Sequence, residues 1–195
     1  MGRRHQAFLI ARVVPHGAPD GRPRYRCIAA YHHQECYGDI PAAAIIRFVT
    51  LLKQKENAEV VRAEIQNIHG KYGRWTQEPK LPEHPCPFTA SLLSMAWCVD
   101  NGEGNPTGAE RHSLRTCCQP ITRPRCAADN NDGYTVIDVT EPESPAYCHI
   151  QSDGCAMLKV DAEGYMRHYG YVPNRDQKTR RLLHALDGIP LVTLI

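Results

Sequence analysis

No two cysteines in this chain stand at C-x-x-C spacing, so the strongest sequence signal for a zinc or redox site is missing. The nine cysteines are odd in number and irregularly spaced, which is not a disulfide framework. Apolar runs are short, and none approaches the ~20 residues of a membrane-spanning helix. The run "FLIA" is too short for a secretory h-region, and Arg12 and Pro15 interrupt the stretch after it. The one Asn-x-Thr, at Asn105, is disabled by Pro106, and Gln6 stands where a myristoylation signal would carry serine or threonine. A phosphate loop, a dinucleotide fingerprint and a hydrolase elbow are all absent. These absences predict a reduced, soluble, intracellular protein with no cofactor and no membrane attachment, cytoplasmic or nuclear. The first 19 residues lack acids, as a mitochondrial presequence would, but they also lack serine and read better as a strand.

Charge of either sign is nearly balanced. The 23 Lys+Arg against 21 Asp+Glu leave a formal net charge of +2, too little to predict nucleic-acid binding by the chain as a whole. The distribution is uneven, however. Arg3, Arg4, Arg12, Arg22, Arg24 and Arg26 precede any lysine, and Asp20 is the only acid before residue 27. Arg12, Arg22, Arg24 and Arg26 are therefore a candidate anion patch for a polyanion partner, although arginines also commonly flank a strand and line a turn.

At 195 residues the chain can form one sizeable core. The periodicity predicts a single α+β domain over 1–195, with a mostly antiparallel sheet, helices on one face and a long irregular arm. Strands are expected at 6–14, 24–33, 134–140, 146–151 and 189–195. In 6–14 the consecutive Phe8, Leu9 and Ile10 imply cover on both faces. A helical stripe of Ile45, Phe48, Val49 and Leu52, then Val61, Ile65 and Ile68, predicts helix over 41–69, as two helices at about 41–55 and 58–69 or one with a break. Asp39 is the expected cap, Asn57 a fresh cap after the break, and Gly70 the stop. Further helices are expected at 88–99 and 175–187, the latter capped by Asn174 with Gln177. Residues 100–132 hold three glycines and three prolines with no sustained period and read as an arm.

The densest cluster of reactive side chains is "YHHQECYG", residues 31–38. A zinc site would recruit Cys27, His32, His33 and Cys36. On an extended strand Cys27 and His33 share a face but stand roughly 20 Å apart, and His32 points the other way. If a helix began near His32, that residue and Cys36 would meet, with His84 and Cys86 as further candidate ligands. Alternatively His32 or His33 could activate Cys36 as a thiolate nucleophile beside a helix N-terminus. The plain alternative is a strand-to-helix turn in which Cys36 packs as a small apolar residue. Cys117, Cys118 and Cys126, with His112, are zinc-compatible in type but lack ligand spacing, and "DNNDG" at 129–133 fails the calcium-loop pattern at its first and twelfth positions.

Two resemblances attach to particular stretches. "NNDGYTVIDVTEPESPAYCHI", residues 130–150, is similar to one unit of a short strand repeat of β-propeller proteins, but it occurs once and propellers need stacked neighbours. "MGRRHQAFLIARV", "YRCIAAYHHQECYG", "LLKQKENAEVVRAEI" and "CPFTASLLSMAWCVD" resemble an uncharacterised family of predicted filamentous-fungal proteins, which have Trp where this chain has Glu35. That resemblance implies one domain and no particular activity. With no complete catalytic set, the sequence points first to a non-enzymatic binding or adaptor domain with a protein or polyanion partner. A His32/His33/Cys36 enzyme and a zinc protein are the alternatives.

Overall fold

Residue alternation along β1 (Arg4–Val13) sorts its side chains onto two sheet faces. Ala7, Leu9, Ala11 and Val13 enter one large core, whereas Phe8 and Ile10 join two smaller clusters on the opposite face. In the computed structural model, which describes residues 4–34, 36, 38–71, 85–98, 133–152, 157–168 and 177–193, β1 lies near the centre of a five-stranded sheet. The order is β2 (Arg24–Gln34), β1, β3 (Tyr134–Asp138), β4 (Ala146–Ser152) and β5 (Met157–Val160). Only the β1–β3 pair is parallel; the other three are antiparallel. The α+β architecture with a mostly antiparallel sheet is thus as expected.

Helices α1 (Ile40–Leu52), α2 (Lys55–Ile68), α3 (Pro87–Cys98), α4 (Ala162–His168) and α5 (Gln177–Asp187) contribute most of their buried apolar residues to the large core. None contributes to the two clusters of the opposite face. Ile45, Phe48, Leu52, Val61 and Leu93 are fully buried there, each worth about 1.5–3 kcal/mol relative to exposure. The break between α1 and α2 falls at Gln54, which is extended at φ −64° and ψ 130°. Gly70, at φ +72°, ends α2 in a conformation open to glycine, and its N–H donates to the carbonyl of Val14 at 2.8 Å, tying the helix end to β1.

Two expected caps serve other purposes. Asp39 makes no side-chain cap to α1; its carboxylate accepts from Lys178 of α5 at 2.8 Å. Asn57 does not begin α2 but donates from Nδ2 to the carbonyl of Leu51 at 2.7 Å, satisfying the end of α1. The cap of α3 comes from 24 residues away. Glu64 of α2 accepts the Phe88 N–H at 2.7 Å, the Thr89 N–H at 2.9 Å and the Thr89 hydroxyl at 2.7 Å. At the other end, Arg47 Nε of α1 donates to the carbonyl of Ala96 at 2.8 Å. A carboxylate at the start and a guanidinium at the end both complement the helix dipole.

The C-terminal half departs further from expectation. The strand expected at 189–195 is, within the described residues, a single parallel bridge between Leu191 and Tyr147. β5 and α4 occupy a stretch for which neither was expected. The arm at 100–132 and the Asn174 cap lie outside the described residues. Among the described residues no helix is long and apolar enough to cross a membrane.

Candidate functional site

The turn at 31–38 follows a strand that stays extended through Gln34, so the helix that would have joined His32 to Cys36 begins later, at Ile40. Register places His32 opposite Gln6 and His33 opposite His5. His32 is 7% exposed, and Cys36 is fully buried in the core shared with α1 and α3. The side chain of His33, and residues 35 and 84, lie outside the described residues. Cys86, the other suggested ligand, is also buried, and burial first and the Glu64 charge second push its thiol up to about 12.

One geometric expectation is overturned. Simple alternation puts Cys27 and His33 on a shared face. The register slips between Leu9 and Ile10, whose partners are Ala29 and Cys27, so Ile28 is an extra residue and the parity of the strand reverses there. Ile28 consequently enters the helix-side core, while Cys27 packs with Phe8 and Ala30 on the opposite face. Burial raises its thiol to about 11, and Sγ donates to the carbonyl of Ala29 at 3.4 Å. Among the described residues no three His, Cys, Asp or Glu side chains are grouped as a metal would need.

The candidate anion patch is divided by the same register. Arg12 pairs with Tyr25, and its guanidinium sits 5.8 Å from the centroid of that ring. Tyr25 in turn donates its hydroxyl to Asp138 at 3.0 Å. Arg24 and Arg26 alternate to the other face, opposite Val13 and Ala11. Asp20 accepts the backbone N–H of Arg22 at 3.0 Å and a guanidinium N–H of Arg24 at 3.1 Å. The Arg22 N–H first, then the Arg24 and Arg22 charges, hold its carboxyl below the usual range.

A polar cluster that no sequence motif marks lies beneath α4. Tyr165 Oη stands 3.2 Å from His5 Nδ1, His5 Nε2 is 2.7 Å from the Thr135 hydroxyl, and that hydroxyl is 3.0 Å from His149 Nδ1. All four residues are fully buried. They come from α4, β1, β3 and β4, three adjacent strands and the helix laid across them. The rings of His149 and Tyr165 stack, with centroids 4.3 Å apart and planes 22° apart. His149 Nε2 is buried and, among the described residues, has no hydrogen-bond partner. Burial first, then the neighbouring His5, drives the pKa of His149 well below its ordinary value, so the ring is neutral at pH 7. The signal available in the sequence is parity: His5 is in phase with Ala7, Leu9, Ala11 and Val13, the buried face of β1. On the opposite face, Gln6 is fully buried, and neither atom of its amide has a partner among the described residues.

The far edge of the sheet is apolar. Met157 and Leu158 of β5, paired with Ser152 and Gln151, are 49% and 42% exposed, and Leu191, which bridges Tyr147 further along β4, is 43% exposed. Lys159 is exposed between them and donates from Nζ to the carbonyl of Val192 at 3.0 Å, fastening the C-terminal segment to β5. Among the described residues no strand pairs with the outer side of β5.

Comparison with protein-family models, with curated proteins and with solved structures gave no match.

Proposed function

We propose that this chain is a non-enzymatic binding domain that receives an extended apolar segment of a partner protein along the outer edge of β5. The observation that carries the reading is the coincidence at one sheet edge of Met157, Leu158 and Leu191, all exposed, with a strand unpaired on its outer side among the described residues. An added strand would gain main-chain hydrogen bonds and bury these side chains on alternate faces. Exposed apolar edges of this kind are otherwise an aggregation hazard that proteins cover or charge. Lys159 supplies the charge: two copies paired edge to edge would bring their ammonium groups together, whereas a partner segment bearing an acid at that position would be favoured. The buried Cys36 and the thiols of Cys27, Cys86 and Cys148, raised to about 11, 12 and 11, favour a binding reading over thiol catalysis.

A display library of random dodecapeptides, selected on the full chain and counter-screened on Leu158→Asp, tests this. Enriched peptides should lose binding to the variant and, when N-methylated at alternate backbone positions, to the wild type as well. Peptides that bind Leu158→Asp equally, or that tolerate N-methylation in both registers, would overturn it. So would a concentration-dependent dimer abolished by the same substitution, since the occupant would then be a second copy.

A further inference from the structure

The hydrogen-bonded chain under α4 is directional. Thr135 has one hydroxyl proton to place between two imidazoles. With both rings neutral, every link is made and the hydroxyl proton is used within the chain only if all donors point the same way along it. Either Tyr165 donates to His5, His5 to Thr135 and Thr135 to His149, or each bond runs in reverse. The first order leaves His149 Nε2 as a buried N–H without an acceptor, the second as a bare lone pair. A buried orphan donor is the rarer and costlier outcome, so the reverse order is favoured. His149 then donates to Thr135, Thr135 to His5 and His5 to Tyr165, and the open position at the end of the chain is the Nε2 lone pair of His149.

A proton from solvent added to that lone pair creates an imidazolium at a fully buried position. Among the described residues no carboxylate faces it from the elements packed around it. β1 presents His5, with ring centroids 6.2 Å apart; α4 presents Tyr165; β3 presents Thr135; β5 presents Val160 at the paired position; and β4 itself contributes Tyr147 at 5.8 Å. The acids of this side, Asp161 and Asp187, are exposed and act on Tyr147, and Asp161 already accepts the Gly164 N–H at 2.7 Å. The cheapest relief is to let the ring reach water, and the cover over it is the short helix α4 through its Tyr165.

We propose that His5, Thr135, His149 and Tyr165 form an acid-sensitive latch, which holds α4 and β5 on the sheet while both imidazoles are neutral and releases them when His149 gains a proton. α4 follows β5 after one residue, and Val160 of β5 pairs with His149 itself, so opening the latch loosens the edge strand directly. The consequence for binding rests on the edge reading given above: a segment captured along β5 at neutral pH is let go on acidification. The latch itself does not depend on that reading. The direction of the effect follows from proton linkage. A histidine held neutral in the fold takes up fewer protons folded than unfolded, so its stabilising effect is complete above its ordinary pKa of 6.5 and is lost as pH falls below it.

Amide hydrogen exchange on the full chain between pH 7.5 and 5.0, corrected for intrinsic exchange rates, tests the latch. Protection of 157–168 should fall about tenfold per pH unit below the onset, one proton per opening, while α2 stays protected. His149→Phe keeps the stack on Tyr165 and cannot be protonated; it should make that protection independent of pH over the same range. Histidine ring NMR of the wild type provides a second readout should the variant fold poorly, because any proton that His149 takes up above pH 5.0 must come with opening of these amides. Constant protection to pH 5.0, an equal fall in His149→Phe, or a ring that titrates without opening would each overturn the proposal. Peptides selected on the edge should weaken with acid on the wild type and not on His149→Phe. If no peptide binds at any pH, the edge reading fails, and the exchange result alone decides the latch.

Discussion

The imidazole of His149 stacks on the phenol ring of Tyr165 at 4.3 Å, joining the middle of β4 to the helix that follows the edge strand. The contact does two jobs at once. It covers a buried histidine, and it couples the exposed apolar edge to the centre of the sheet through a chain of fully buried polar side chains.

Thr135→Val keeps the shape of that centre and removes its hydroxyl. His5 Nε2 and His149 Nδ1 would both lose the hydroxyl that bridges them. The expected loss of stability is about 2–4 kcal/mol at pH 7, measured by urea unfolding. His149→Phe, which removes one orphan nitrogen and leaves the Thr135 hydroxyl bonded to His5 alone, should stay within about 1 kcal/mol of wild type. A Thr135→Val loss no larger than that of His149→Phe would mean that the hydroxyl does not bridge the rings.

The tertiary cap of α3 is also open to test. Glu64→Ala should cost about 1–3 kcal/mol and lower the exchange protection of the Phe88 and Thr89 amides selectively, because both lose the carboxylate that accepts them. A loss spread evenly over α3 would instead point to altered packing.

Gln6 predicts a gain. Its amide is fully buried with both polar atoms unpartnered among the described residues, so Gln6→Met, of nearly the same shape, should raise stability by about 1–3 kcal/mol. Destabilisation would show that the amide has a partner in solution, water included.

Thiol labelling at pH 7 separates packing from catalysis. Cys27, Cys86 and Cys148 have pKa values raised to about 11, 12 and 11 by burial, and Cys36 is fully buried. Mass spectrometry should find all four modified by iodoacetamide only after denaturation. A Cys36 that reacts in the native state faster than a free thiol would restore the His32/His33/Cys36 enzyme.

Local pattern carries much of the fold. The alternation of β1, the stripe through Ile45, Phe48 and Leu52, and the stop at Gly70 are interactions within one element or between near neighbours, and they are readable in the sequence. The Ile28 bulge is not, because an extra residue on one strand is defined only by its partner strand. β5 escapes because its four residues are mostly exposed and lack an inside-outside pattern. The polar centre is hidden for a different reason. His5 meets Thr135 across 130 residues and Tyr165 across 160, and the cluster spans four elements, so no window of sequence contains it. The same is true of Glu64, which serves a helix other than its own.

The edge of β5 is tested most directly by nuclear Overhauser contacts between the isotopically labelled chain and an unlabelled selected peptide. Cross-strand contacts from the amides of 157–160 to the peptide backbone, in a regular two-residue register, are the predicted result. Contacts confined to the Arg12–Tyr25 end of the sheet or to the turn at 31–38, with the β5 amides unchanged, would contradict it.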